Sequence, residues 1–184
     1  MHRLAALVLA AFALAGCAGM VRTMTSEYPQ TSAVARDNLQ DAAAAGPVLL
    51  EVRDNPLSGD VARSLAAAAS AASVGFNVRF TTDRAQAGRS DFRLVVQFSP
   101  APGIGAAEVC DSSRPVARVA TDGLSAVVAF CKQAQPILSL TAVGPRADGP
   151  DAPVIRHIAE QAMMRMFIPS GSSHDAPGDY WPDI

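Results

Sequence analysis

Between Phe92 and Phe98 apolar and polar side chains alternate: Phe92, Leu94, Val96 and Phe98 point one way, Arg93 and Gln97 the other. A period of two over seven residues fits a half-buried strand and no helix, so the chain must fold around a sheet with one apolar face. The same alternation recurs at Val48, Leu50 and Val52, at Phe76, Val78 and Phe80, and at Leu124, Ala126, Val128 and Phe130. Residues 136–143 form a further apolar run, and the polar turn 132–135 before it predicts a hairpin.

Two stretches change to the helical period. Asp60 can cap a helix running to about Ala72, with Val61, Leu65, Ala68, Ala69 and Ala72 on one face. Residues 154–168 carry a stripe of Ile155, Ile158, Ala159, Ala162, Met163 and Met166, with Arg156 and Glu160 paired on the wet side. Residues 32–45 predict a weaker, Ala-rich helix with Ser32 as cap, Gly46-Pro47 as stop and a thin apolar face that docks only marginally. Residues 83–87 read as one helical turn closed by Gly88. Strands followed and flanked by helices in this order predict a two-layer α+β domain over residues 32–168. Its mostly antiparallel sheet would have about five strands, with helices packed on one face. In plan this resembles small periplasmic α/β domains, among them the amino-terminal domain of the Tol translocation protein and some outer-membrane assembly lipoproteins. No motif carries that likeness, so it implies a fold and no function.

The charge balance excludes one partner class. Fifteen basic residues against 17 acidic leave a net charge of −2. Nucleic-acid affinity rests mainly on Lys and Arg against phosphates, so no nucleic acid is expected as partner.

The first residues set the compartment. Met1, His2 and Arg3 make a short positive start, and residues 4–15 follow without a charge. Twelve helical residues rise about 18 Å, too little for a hydrocarbon core of about 30 Å, which fits a secretory signal rather than a membrane span. That signal ends in Leu14, Ala15, Gly16 and Cys17. These four residues resemble the lipobox of bacterial lipoproteins, cut just before a cysteine that carries lipid. The resemblance implies a signal peptide over residues 1–16, a lipidated Cys17 and a membrane partner reached through the anchor. In that family Asp after the cysteine favours the inner membrane; here Ala18 stands there, which implies the outer membrane, facing the periplasm. Residues 17–31 read as a flexible tether, and residues 169–184 as a disordered tail. Tyr180 and the single Trp, Trp181, lie in that tail, where paired aromatics could serve as a docking peptide.

Apart from Cys17 two cysteines remain, Cys110 and Cys131. An even pair in an oxidising space predicts a disulfide, and closing a loop of about 21 residues contributes about 3 kcal/mol on the chain-entropy estimate. It would staple the irregular connection of residues 99–122 to the sheet. Zinc would need more ligands than one domain His supplies, and no CxxC spacing exists for redox work.

Other constellations resolve into ordinary roles. Gly103, Ile104 and Gly105 lack the third glycine of a dinucleotide loop, since Glu108 stands there and would repel pyrophosphate. Asp54, Asn55, Ser58 and Asp60 gather oxygens, but their spacing suits turn and cap formation rather than calcium. Ser125 lacks the second glycine of a nucleophile elbow. His157 and Glu160 make one HxxE, which holds no metal alone. Arg53, Arg79 and Arg93 are expected on a solvent-facing side of the sheet. No catalytic residue, cofactor or metal is expected. The sequence therefore predicts a non-enzymatic envelope lipoprotein, an interaction or assembly module with a protein partner in the envelope. The alternative is a periplasmic hydrolase or small-ligand-binding protein using a site near His157.

Overall fold

Alternation along each strand decides where the core lies. The structure, a computed structural model, describes residues 21–27, 31–73, 75, 77–111, 113 and 123–168. Cys17, the signal, the tail with Tyr180 and Trp181, and Phe76 lie outside these. In chain order the elements are β1 (Arg22–Glu27), α1 (Ser32–Ala44), β2 (Val48–Arg53), α2 (Val61–Ala72), β3 (Phe80–Thr81), β4 (Phe92–Phe98), α3 (Ala106–Cys110), β5 (Leu124–Lys132), β6 (Gln135–Gly144) and α4 (Pro153–Phe167). The architecture is α+β. One sheet of six strands runs in the order β1-β6-β5-β4-β2-β3. The β1–β6, β6–β5 and β5–β4 pairings are antiparallel, and β4–β2 and β2–β3 are parallel. The sheet is thus mixed rather than mostly antiparallel in its β2 half, because α2 carries the chain from β2 back to the same end for β3.

The apolar face predicted from Phe92, Leu94, Val96 and Phe98 is the main core. These side chains, with Leu50, Val128, Phe130, Leu138 and Leu140, bury against Leu39 of α1, Leu65 of α2, and Ile158 and Met163 of α4. Phe130 anchors the centre, stacked on Phe92 at 5.8 Å and edge-on to Phe167 at 5.2 Å. A bulge between Phe130 and Cys131 turns both Ile137 and Leu138 of β6 into this core.

Several expectations need correction. Arg22–Glu27 is no tether: it pairs in register with β6, from Arg22 opposite Val143 to Glu27 opposite Leu138. An edge backbone such as that of β6 is a template for any extended segment, and Thr23, Met24 and Thr25 supply one. α1 is firmly docked, with Ala35, Leu39 and Ala42 buried, and its cap is Thr31 rather than Ser32. An alanine face allows close helix approach, which a count of large apolar residues undervalues. The predicted strand at 76–81 is confined to Phe80–Thr81, although Val78 is buried. Residues 83–87 form a hydrogen-bonded turn rather than a helix, with Gln86 N donating to Asp83 O at 3.1 Å and Asp83 Oδ1 accepting from Ala85 N at 2.9 Å. Gly88 lies so close to the α1–β2 junction that a Cβ there would sit 2.4 Å from Ala45 C and Gly46 N.

The largest correction concerns the other face of the sheet. α1, α2 and α4 share one face as expected, but α3 covers the middle of the opposite one. Val95, Val127, Ala129 and Cys131 form a second, smaller apolar cluster with Ala106, Val109 and Cys110. Arg93, expected in solvent, is 7% exposed, and Gln97 is 0% exposed.

Candidate functional site

Two places concentrate polar side chains. The first is the layer beneath α3. Glu108 Oε2 accepts from Gly105 N at 3.0 Å and so caps the start of the helix. The acidic residue that spoils a dinucleotide loop is here a capping group. Val109 and Ala106 turn down onto the sheet, and Cys110 bonds Cys131 with a Cα–Cα distance of 5.6 Å. The predicted disulfide therefore fixes α3 to β5, as a staple for a segment that lacks apolar mass of its own.

The end of α3 leaves carbonyl groups without helical partners, and two arginines supply donors. Arg53 Nη1 donates to Val109 O at 2.9 Å and reaches Asp111 O at 3.3 Å. Arg93 Nη2 donates to Cys110 O. Glu51 stands between Arg84, with which it forms an ion pair, and Arg93, whose Nε lies 3.2 Å from Glu51 Oε2. Gln97 Nε2 donates to Asp54 Oδ2 at 2.9 Å and to Phe98 O at 3.0 Å. Its Oε1 has no donor among the described residues. Arg79 is separate from this set and exposed. The three arginines form no shared anion surface; two of them hold a helix in place.

The second place is a cleft of about 300 Å³ at the start of α4, lined by Pro145, Arg146, Asp148, Pro153, Arg156 and His157 among others. His157 is 47% exposed, with Nδ1 3.5 Å from Glu160 Oε2, while Arg156 Nε lies 3.6 Å from Glu160 Oε1. Glu160 is thus shared by Arg156 and His157 on its own helix. Among the described residues no Ser, Thr or Cys lines the cleft. Ser125 belongs to the β5 residues on the α3 side, opposite Val143, whereas α4 packs on the other face. The structure does not bring Ser125 and His157 together.

The oxygens at 54–60 are also accounted for. Asp60 Oδ1 accepts from Arg63 N at 3.0 Å, which caps α2 as predicted. Asn55 Oδ1 accepts from Leu57 N at 3.0 Å, closing a turn, and Asp54 holds Gln97. Among the described residues no group of three or more His, Cys, Asp and Glu could hold a metal ion.

One strongly paired carboxylate lies apart from both places. Arg89 grips Asp91 through Nε at 3.0 Å and Nη2 at 2.8 Å, and also pairs with Asp41. The Arg89 hydrogen bonds hold the Asp91 carboxyl below its ordinary value of 3.8. The guanidinium also lies 4.7 Å from the Phe92 ring centroid, lidding the core. Glu51, Gln97 and Arg89 escaped the sequence reading, because their partners come from elsewhere in the fold and leave no local spacing to detect.

No protein-family model matches the chain, and no curated protein matches it. Among solved structures it is similar to the PelC dodecamer from Paraburkholderia phytofirmans. In one crystal form the TM-score is 0.37 at 13% identity, covering 80% of this chain and 94% of that one. A point variant of the same PelC dodecamer, in another crystal form, gives a TM-score of 0.35 at 10% identity with the same coverage.

Proposed function

We propose that this chain is a lipid-anchored protein of the bacterial envelope, facing the periplasm, whose domain works as a non-enzymatic interaction or assembly module. The observation that carries the reading is the Cys110–Cys131 disulfide. Oxidised pairs belong chiefly to exported proteins, and the third cysteine of the chain is then Cys17 of the lipobox-like segment. The polar side chains that could have served chemistry act as structural parts: Arg53 and Arg93 cap α3, Glu51 and Gln97 brace the same layer. The alternative built on His157 has less behind it, since among the described residues its cleft offers a base and a carboxylate, Asp148, but no nucleophile.

Mass spectrometry of the amino-terminal peptide tests the anchor. A thioether-linked diacylglycerol on Cys17 is expected, and Cys17→Ser should leave the signal attached; an unmodified Cys17 or a cut elsewhere refutes the reading. Crosslinking in intact envelopes tests the module. A defined envelope protein should be captured by the anchored chain, while turnover of ester substrates that disappears in His157→Ala would establish the hydrolase instead.

A further inference from the structure

The distance between the anchor and the first strand decides which end of the domain meets the membrane. β1 begins at Arg22, five residues after Cys17. Fully extended, five residues reach at most about 18 Å. A domain of this size has a radius of gyration of about 15 Å, so that reach is well short of its diameter. With Cys17 lipidated, the start of β1 stays within about 18 Å of the bilayer, so the end of the domain where β1 starts is the end turned toward it.

That end has the composition a lipid surface selects. Arg22 lies opposite Val143, so both side chains and that of Met24 share the sheet face beyond α3. Met24 is 72% exposed and Val143 52%. Val21 and Val154 converge on Gly144, where a Cβ would sit 3.2 Å from Val21 Cγ2 and 2.8 Å from Val154 Cγ2. The start of β1, the end of β6 and the start of α4 therefore form one pole. Arg146 follows directly after β6, and the cleft it shares with Arg156 and His157 opens at the same pole. Asp148 lies there too, and Glu160 is taken by Arg156 and His157. Among the described residues Arg22 and Arg146 have no ion-pair partner.

We infer that this pole is a membrane-facing surface for anionic phospholipid, with Arg22 and Arg146 on headgroup phosphates and Val143 and Met24 beside and behind Arg22 in the headgroup layer. The inference rests on the lipidated Cys17 proposed above. Juxtamembrane arginines are attracted to an anionic leaflet, a gain independent of the anchor itself. The β5–β6 hairpin at Gln133 and Ala134 lies at the far end of β6, about 30 Å away for a strand of this length.

Single-tryptophan reporters test it in the full-length acylated protein with Trp181→Phe as background. Met24→Trp marks the proposed surface and Ala134→Trp the opposite pole, both exposed positions that leave the core intact. In vesicles of phosphatidylcholine carrying a nitroxide on its headgroup and mixed with phosphatidylglycerol, Met24→Trp should lose its fluorescence and Ala134→Trp should keep it. Omitting phosphatidylglycerol should weaken the quenching, and Arg22→Glu with Arg146→Glu should abolish that dependence. Equal quenching at both poles, or none at Met24→Trp, overturns the orientation when the same sample shows a diacylated Cys17. Quenching indifferent to phosphatidylglycerol overturns the phosphate contacts. An unmodified Cys17 in that sample refutes the anchor and the inference with it, a failure that the mass of the peptide separates from the others.

Discussion

Replacing Arg93 by Ala measures whether α3 is a structural part of the domain or a loop resting on it. The guanidinium is the donor to Cys110 O and lies 3.2 Å from Glu51 Oε2. Its side chain is 8% exposed. Truncation leaves a buried carbonyl without a donor, and a hydrogen bond from a charged group contributes about 1.5–3 kcal/mol. The buried aliphatic stem adds packing, while relief from desolvating the cation subtracts from the total. The expected net loss is about 2–3 kcal/mol, which in a domain of this size lowers the melting temperature by about 6–10 °C. Thermal and urea unfolding of the oxidised protein, followed by far-ultraviolet circular dichroism, would read it. Arg79→Ala, at an exposed site, is the control and should change stability by less than about 0.5 kcal/mol. In a Cys110→Ser, Cys131→Ser background the cost of Arg93→Ala should shrink, because α3 is no longer held over the truncated site. An Arg93→Ala protein as stable as Arg79→Ala would refute the clamp and return the sheet face to solvent.

Three further outcomes are expected. Cys110→Ser and Cys131→Ser should lower the melting temperature by similar amounts and the double variant by no more, with about 3 kcal/mol as the scale; additive losses would show that the two do not act as a pair. Gly88→Ala should cost at least about 2 kcal/mol in urea unfolding, since the new Cβ meets the backbone of Ala45 and Gly46 at 2.4 Å with no side chain to yield. Asp91 is held below 3.8 by Arg89, so its contribution is complete above the unfolded value and fades as pH falls through the folded one. The stability gap between the native chain and Asp91→Asn should therefore be constant near neutrality and close in acid below 3.8; a gap unchanged there would exclude the pairing.

Much of the framework is legible in local spacing. Phe92 to Phe98 announce the core strand because a period of two needs no knowledge of partners, and Asp60 announces the start of α2 because its cap is three residues away. Cys110 and Cys131 stand out as the two cysteines left once Cys17 is set aside, with no CxxC spacing between them, and the structure joins them. The sheet's second face resists the same treatment. Arg93 and Gln97 look solvated on a strand, yet both are buried, Arg93 against the end of α3, thirteen or so residues further on, and Gln97 beside Asp54. Nothing in residues 99–122 marks a helix: Ala106–Cys110 is five residues long, far too short to form by propensity, and exists because the disulfide, Arg53 and Arg93 hold it.

β1 exposes a different limit. Arg22–Glu27 contains no alternating apolar residues, because one of its faces is open and its pairing rests on backbone groups of β6. A tether and an edge strand of Thr, Met and Ser look alike until the neighbouring edge is known. Their consequences differ. A tether that begins at Cys17 and runs to residue 31 would let the domain move freely above a membrane. With the proposed anchor at Cys17, a strand that begins at Arg22 would shorten that leash to five residues and make the anchor a constraint on orientation. The misread segment thus matters more than its size. On the proposed anchor, adding one strand to the sheet changes the role expected of Arg22, Met24 and Val143 from solvated edge residues to the part of the domain nearest the lipid.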